Sequence, residues 1–187
     1  LITSDGDFTL FGEAGTGLDA LTALSENEPD IILLDLNMKG MSGLDTLNAM
    51  RQEGVTARIV ILTVSDAKQD VIRLLRAGAD GYLLKDTEPE LLLEQLKKAM
   101  LGHRVISEEV EAYMYELKNA TDDNEWIESL TPRELQILQE LAEGKSNRLI
   151  SEDLHISEGT VKVHVKNLLR KANAKSRTEM AVRYLNQ

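Results

Sequence analysis

The chain has 187 residues, a formal net charge of −11, three histidines and no cysteine. That composition excludes disulfides and thiolate metal sites, as suits a reducing cytoplasm. It also holds no apolar run of the length that crosses a membrane as a helix. The charge is uneven. Residues 1–118 carry 21 acids against 11 bases, 119–129 carry four acids and no base, and 130–187 carry 7 acids against 10 bases. An acidic body joined to a basic C-terminal piece is the asymmetry expected of a nucleic-acid-binding end.

From the N-terminus, short aliphatic or β-branched runs at Thr9–Glu13, Ile31–Leu36, Arg58–Val64 and Gly81–Lys85 read as strands. They do not alternate, as expected of parallel strands buried on both faces. Helical signals at 17–26, 43–53, 67–77 and 88–101 lie between and after them, so the expected fold is α/β with right-handed crossovers. "FGEAGTG", Phe11–Gly17, has neither phosphate-loop spacing and reads as an ordinary strand–helix turn. A helix at about 107–118 and an acidic linker, "NATDDNEWIES", follow.

Residues 130–187 show no strand signal. Thr131, Pro132 and Glu134 form a capping box that opens a helix, and Gly144 ends it. A short helix at 147–154, a turn at "HIS", a helix at 158–172 and a last helix opened by a second capping box, "SRTE", complete the piece.

Ligands of open parallel sheets bind beyond the carboxyl ends of the strands. Those ends carry Asp35, Thr63 and Lys85. A carboxylate, a hydroxyl and an ammonium on one rim suit phosphoryl transfer to the carboxylate. An enzyme with an aspartyl nucleophile would need a second acid two residues on, and that residue is Asn37. The expectation is therefore a phosphoryl acceptor and not an enzyme.

"ILLDLNMKGMSGLDTL", "VILTVSDA" and "GADGYLLKDTEPE" resemble the receiver domain of two-component response regulators. The resemblance implies a flavodoxin/CheY-like doubly wound sheet of strand order 2-1-3-4-5, and a sensor histidine kinase as phosphoryl donor. By position it makes Asp35 the phosphoacceptor, Thr63 the switch hydroxyl, Tyr82 the switch aromatic and Lys85 the essential lysine. Asp35 and the backbone carbonyl of Asn37 would be Mg²⁺ ligands. Asp86 follows Lys85 where most receivers have proline. In that alignment Thr9–Glu13 is the second strand, and no segment here supplies the central first strand or its pair of metal-binding acids. Since Leu1 stands where a methionine would start a protein, the expectation is a natural protein longer at its N-terminus, or a receiver that is degenerate or completed by a partner.

On a helical wheel of "SEGTVKVHVKNLLRKA", Val161, Val165, Leu168, Leu169 and Ala172 face inward, while Lys162, Val163, Lys166 and Arg170 face away. An apolar valine among cations suits a thymine methyl. The preceding short helix and turn make the helix-turn-helix arrangement, whose second helix enters the major groove. The motif "LTPRELQIL" to "GTVKVHVKNLLRK" resembles the LuxR/NarL-type DNA-binding domain. It implies base contacts from Lys162, Val163 and Lys166, phosphate contacts from Thr160, Asn147 and Arg170, and dimer contacts from the final helix. Gly159 and Ser151 depart from the usual residues there.

The expected organisation is a receiver at 1–105, linker helix and acidic linker at 106–129, and the DNA-binding domain at 130–187. The expected function is a cytoplasmic, phosphorylation-regulated transcriptional regulator acting as a homodimer on an inverted-repeat operator in duplex DNA. Within its group it most resembles the regulators that respond to nitrate and nitrite. The alternative is a DNA-binding regulator whose degenerate receiver works without phosphorylation.

Overall fold

The computed structural model describes residues 6–25, 27–64, 68–100 and 125–185. Its N-terminal half runs α1 (Gly17–Leu24), β1 (Ile31–Asp35), α2 (Gly43–Gln52), β2 (Arg58–Thr63), α3 (Lys68–Arg76), β3 (Gly81–Leu84) and α4 (Pro89–Met100). The three strands form one parallel sheet in the order β1-β2-β3, with Asp35 opposite Leu62 and Thr63 opposite Leu84. Parallel pairing follows from the helices between the strands, and it requires residues apolar on both faces. Ile59 and Ile61 on β2 are accordingly fully buried, against Leu47 and Met50 of α2 and Leu74 of α3.

The run Thr9–Glu13 forms no strand. Leu10 and Phe11 are instead 51% and 55% exposed. The physical reason is that β propensity needs a partner ladder. In the expected strand order this run would pair only with the first strand, which no described residue supplies. The sheet is therefore the 3-4-5 part of the expected five-stranded order.

The C-terminal half is all helix: α5 (Glu125–Glu128), α6 (Pro132–Ala142), α7 (Asn147–Leu154), α8 (Glu158–Lys171) and α9 (Arg177–Leu185). Ile137, Leu138, Ile150, Val161, Val165, Leu168 and Met180 bury a second core. The inward face expected of 158–172 is thus the one observed, with Leu169 partly buried at its edge. The one-turn helix α5 lies inside the stretch read as linker because Trp126 packs on this core. The helix expected at 107–118 and most of the acidic linker lie outside the described residues.

Side-chain caps set the helix starts. Thr16, Ser42, Ser146 and Ser157 each accept a backbone N–H three residues on. Thr131 and Glu134 form the full reciprocal box. The box expected at Ser176–Glu179 is only half made. Ser176 Oγ accepts from Glu179 N at 3.1 Å, but the Glu179 carboxylate is taken by Lys175 N and Arg183.

Glu134 also ties α6 to α8. Its Oε2 accepts from Lys171 Nζ at 2.8 Å as well as from Thr131 N and Oγ1. The Lys171 hydrogen bond, with the Thr131 donors, holds its carboxyl at about 2 against the usual 4.5. A depressed carboxyl pKa gives stability that is complete above the unfolded value and is lost as pH falls through the folded one. We expect Glu134→Gln to cost up to about 3 kcal/mol at neutral pH. Urea midpoints of variant and wild type should then converge as the pH is lowered from about 4.5 toward about 2.

Candidate functional site

Two polar surfaces sit at opposite ends of the sheet. At the carboxyl end, Asp35 closes β1, Thr63 closes β2 and Lys85 follows β3, so the topology brings together the three residues that the strand ends suggested. Lys85 N donates to Thr63 O at 2.8 Å, which locks the adjacent strand ends. Lys85 Nζ donates to Asp35 Oδ2 at 2.6 Å, and Asn37 N donates to Oδ1 at 2.9 Å. The Lys85 hydrogen bond, then that of Asn37, lowers the Asp35 pKa. Asp35 is thus an ionised carboxylate beside a cation, with its side chain 36% exposed.

The loop after β1 is held close by Gly43. A Cβ there would lie 2.3 Å from Asp35 O and 2.6 Å from Leu36 Cα, so α2 can start directly under the acid. Tyr82 is half-buried on β3, against the core of the sheet half on one side and the cluster of Val71, Leu75 and Val182 on the other.

Receiver domains generally bind Mg²⁺. Among the described residues no group of three or more His, Asp or Glu could hold an ion. Asp35 and the Asn37 carbonyl remain as candidate ligands, but Lys85 already occupies one Asp35 oxygen. Hard divalent cations need a fuller oxygen set, so the donors present do not by themselves make a metal site.

At the amino end of the strands, the helical half docks on the sheet half. Asn147 Nδ2 donates to Thr56 Oγ1 at 3.0 Å. Thr56 N and Oγ1 in turn donate to Glu28 Oε2, and Glu28 Oε1 pairs with Lys162 Nζ at 2.9 Å. Lys166 Nζ donates to Glu53 O at 3.4 Å, and its chain crosses Gly54 (φ +75°), where a Cβ would lie 2.9 Å from Lys166 Cε. Buried Arg58 of β2 donates through Nη2 to Gly144 O at 2.9 Å and through Nη1 to Ala99 O. Lys175 Nζ donates to Arg76 O at 2.8 Å.

Three of the six residues expected to meet DNA, Asn147, Lys162 and Lys166, therefore face the sheet half. The other three face outward. Val163 is 58% exposed on α8, Thr160 is exposed with its hydroxyl on Ser157 Oγ, and Arg170 is exposed. His155, in the left-handed region at φ 52°, makes the turn between α7 and α8.

The comparisons with known proteins cover both halves. Residues 2–97 match the model of the response regulator receiver domain, and 128–184 that of the bacterial regulatory proteins of the luxR family. The chain belongs to the LuxR-type response regulators. Over all 187 of its residues it is 51% identical to the nitrate/nitrite response regulator protein NarP of Escherichia coli strain K12, covering 87% of that protein. It is 48% identical to a nitrate/nitrite response regulator homologue of Haemophilus influenzae and 46% identical to NarL of Escherichia coli strain K12. A solved structure of the response regulator ChrA, from a heme-sensing two-component system, is 30% identical over 100% of this chain and 88% of that one, with a TM-score of 0.45.

As a response regulator, the chain joins a receiver to a LuxR-type DNA-binding domain. The family implies DNA and a sensor kinase as partners, and it is not an enzyme class. Among the described residues no helix is long and apolar enough to cross a membrane. Reasoning from sequence missed Glu28, Glu53 and Thr56, which face Lys162, Lys166 and Asn147 from the receiver. Each stands in a loop next to a strand or helix, and no motif marks it.

Removing the ammonium should release Asp35. In Lys85→Ala the Asp35 carboxyl should titrate upward toward the ordinary aspartate range, followed by carboxyl-carbon NMR against wild type.

Proposed function

We propose that Asp35 accepts a phosphoryl group from a sensor kinase's phosphohistidine, and that this phosphorylation frees α8 to bind DNA. The observation that carries the reading is the docking of Asn147, Lys162 and Lys166 on the receiver: the same side chains cannot also lie on duplex DNA. In this mechanism the Asp35 carboxylate attacks phosphorus as the P–N bond to the kinase's histidine breaks and the imidazole leaves, Lys85 Nζ moves from the carboxylate to a phosphoryl oxygen, and the Thr63 hydroxyl hydrogen-bonds another. Tyr82 then repacks. Mg²⁺ would be held by Asp35 and the Asn37 carbonyl together with the acidic pair that the resemblance calls for and that no described residue supplies.

On DNA, Lys162, Val163 and Lys166 would meet base edges, and Thr160, Asn147 and Arg170 phosphates. The final helix would join two copies on an inverted repeat. The proposed division is receiver 1–105, linker 106–129 and DNA-binding domain 130–187, working in the cytoplasm. The signal we propose is nitrate or nitrite, read by the partner kinase, on the strength of the named relatives.

One observation favours a second reading, a receiver that works without phosphorylation: the donors around Asp35 do not by themselves form an ion site. Asp35→Asn separates the two. An acyl-phosphate donor should label the wild type and not the variant; equal labelling, or none of either, would leave the second reading standing.

Two DNA-binding measurements test the docking, on duplexes selected by the protein from random sequence. Without phosphorylation, Glu28→Gln should tighten binding roughly two- to fivefold by releasing Lys162. Arg170→Ala, which leaves the docked surface intact, should weaken binding and flatten the logarithmic salt dependence by about one. An unchanged slope would remove Arg170 from the phosphate contacts.

A further inference from the structure

β3 joins the two polar ends of the sheet. After its last residue, Lys85 holds Asp35 at 2.6 Å. Before its first residue stands Asp80, whose side chain is 2% exposed. The Asp80 oxygens divide their partners between the two halves. Oδ2 accepts from Arg51 Nη2 at 2.5 Å and Ile59 N at 2.9 Å, both in the receiver. Oδ1 accepts from Thr178 Oγ1 at 2.6 Å and Thr178 N at 3.2 Å, both in the first turn of α9. Between Lys85 and Asp80, Tyr82 packs on the cluster that Val182 of α9 completes. Strand residues advance about 3.3 Å each, so one short, stiff element reaches from the acid at one end to the docked helix at the other.

We propose that Asp80 is a positioning residue for DNA binding: it holds the start of α9 on the foot of β3 and so keeps α8 against the receiver until β3 shifts. The proposal rests on the reading of Asp35 as phosphoacceptor for its trigger, but not for the latch itself. The charge arrangement suits a reversible contact. A buried carboxylate stripped of its counter-ion is strongly destabilising. When α9 leaves, Asp80 keeps Arg51 and Ile59 N, and Oδ1 exchanges the Thr178 donors for water. The receiver is intact whether the latch is open or closed. A carboxylate that served the receiver alone would need no second set of donors from α9. Of the other contacts between the halves, those at Lys162, Lys166 and Lys175 come from long side chains and give less geometric control, and those of Arg58 with Gly144 O and Asn147 with Thr56 do not touch α9.

The test uses the intact protein, unphosphorylated. Because the chain has no cysteine, Asn48→Cys with Glu158→Cys gives a clean pair for fluorophores on α2 and α8, both at exposed positions. Thr178→Val removes the hydroxyl and leaves every receiver bond of Asp80 in place. A hydrogen bond to a charged group is strong enough that its loss should raise the open-to-closed ratio by about tenfold or more, with duplex affinity rising in parallel. Thr178→Ser should restore wild-type values. After treatment with an acyl-phosphate donor, the Thr178→Val variant should move less than the wild type. The proposal is overturned if Thr178→Val leaves energy transfer and affinity at wild-type values, or if its response to the donor keeps full size. If Thr178→Val opens the protein while the donor does not open the wild type, the latch stands and the phosphoacceptor reading fails.

Discussion

Parallel pairing of β1, β2 and β3 governs everything else in this molecule. Every strand interior is committed to the ladder and to apolar packing on both faces, so charged groups can enter only at the strand ends. The sheet therefore has two chemical poles and an inert middle. Asp35, Thr63 and Lys85 occupy one pole. Asp80, Arg58 and the loops carrying Glu28, Glu53 and Thr56 occupy the other. The two poles are fixed relative to each other because the strands between them bury Ile59, Ile61 and Leu83 almost completely. A shift of one strand would therefore be felt at both poles.

The same constraint explains which features were legible in the sequence. Asp35 and Lys85 stood out because each ends an aliphatic run, and a parallel strand makes such an end a place for ligands. The outward face of α8 was legible for a similar reason: Val163 and Arg170 lie opposite Val161, Val165 and Leu168 on a wheel that only a core-facing helix produces. Thr9–Glu13 was misread because its residues carry strand propensity while pairing depends on a neighbour. The docking of the two halves was not legible at all. Asn147 meets Thr56, and Thr178 meets Asp80, across 91 and 98 positions of chain. Periodicity and spacing describe only local relationships, so they carry no trace of such partners. The half-made cap at Ser176 failed for the same reason on a smaller scale, since Glu179 had Lys175 N and Arg183 to choose instead of the cap backbone.

Charge has two uses in this architecture. The cations of α7, α8 and the segment after it suit a polyanion, and the acidic body of the chain offers them a substitute. Glu28 presents a carboxylate to Lys162, and the Glu53 carbonyl meets Lys166. These are the donor–acceptor types of a phosphate contact, made with fewer charges. Salt should therefore weaken both the docked arrangement and DNA binding.

Several docking contacts are individually slight; the Lys166 hydrogen bond, at 3.4 Å, is long. They suffice because both partners belong to one chain. A covalent connection turns the meeting of the two surfaces into an intramolecular event at a raised effective concentration. Duplex DNA must win against a rival that never diffuses away. The threshold for regulation thus depends on chain connectivity as well as on contacts, and lengthening the connector would lower it without altering a single residue at either pole.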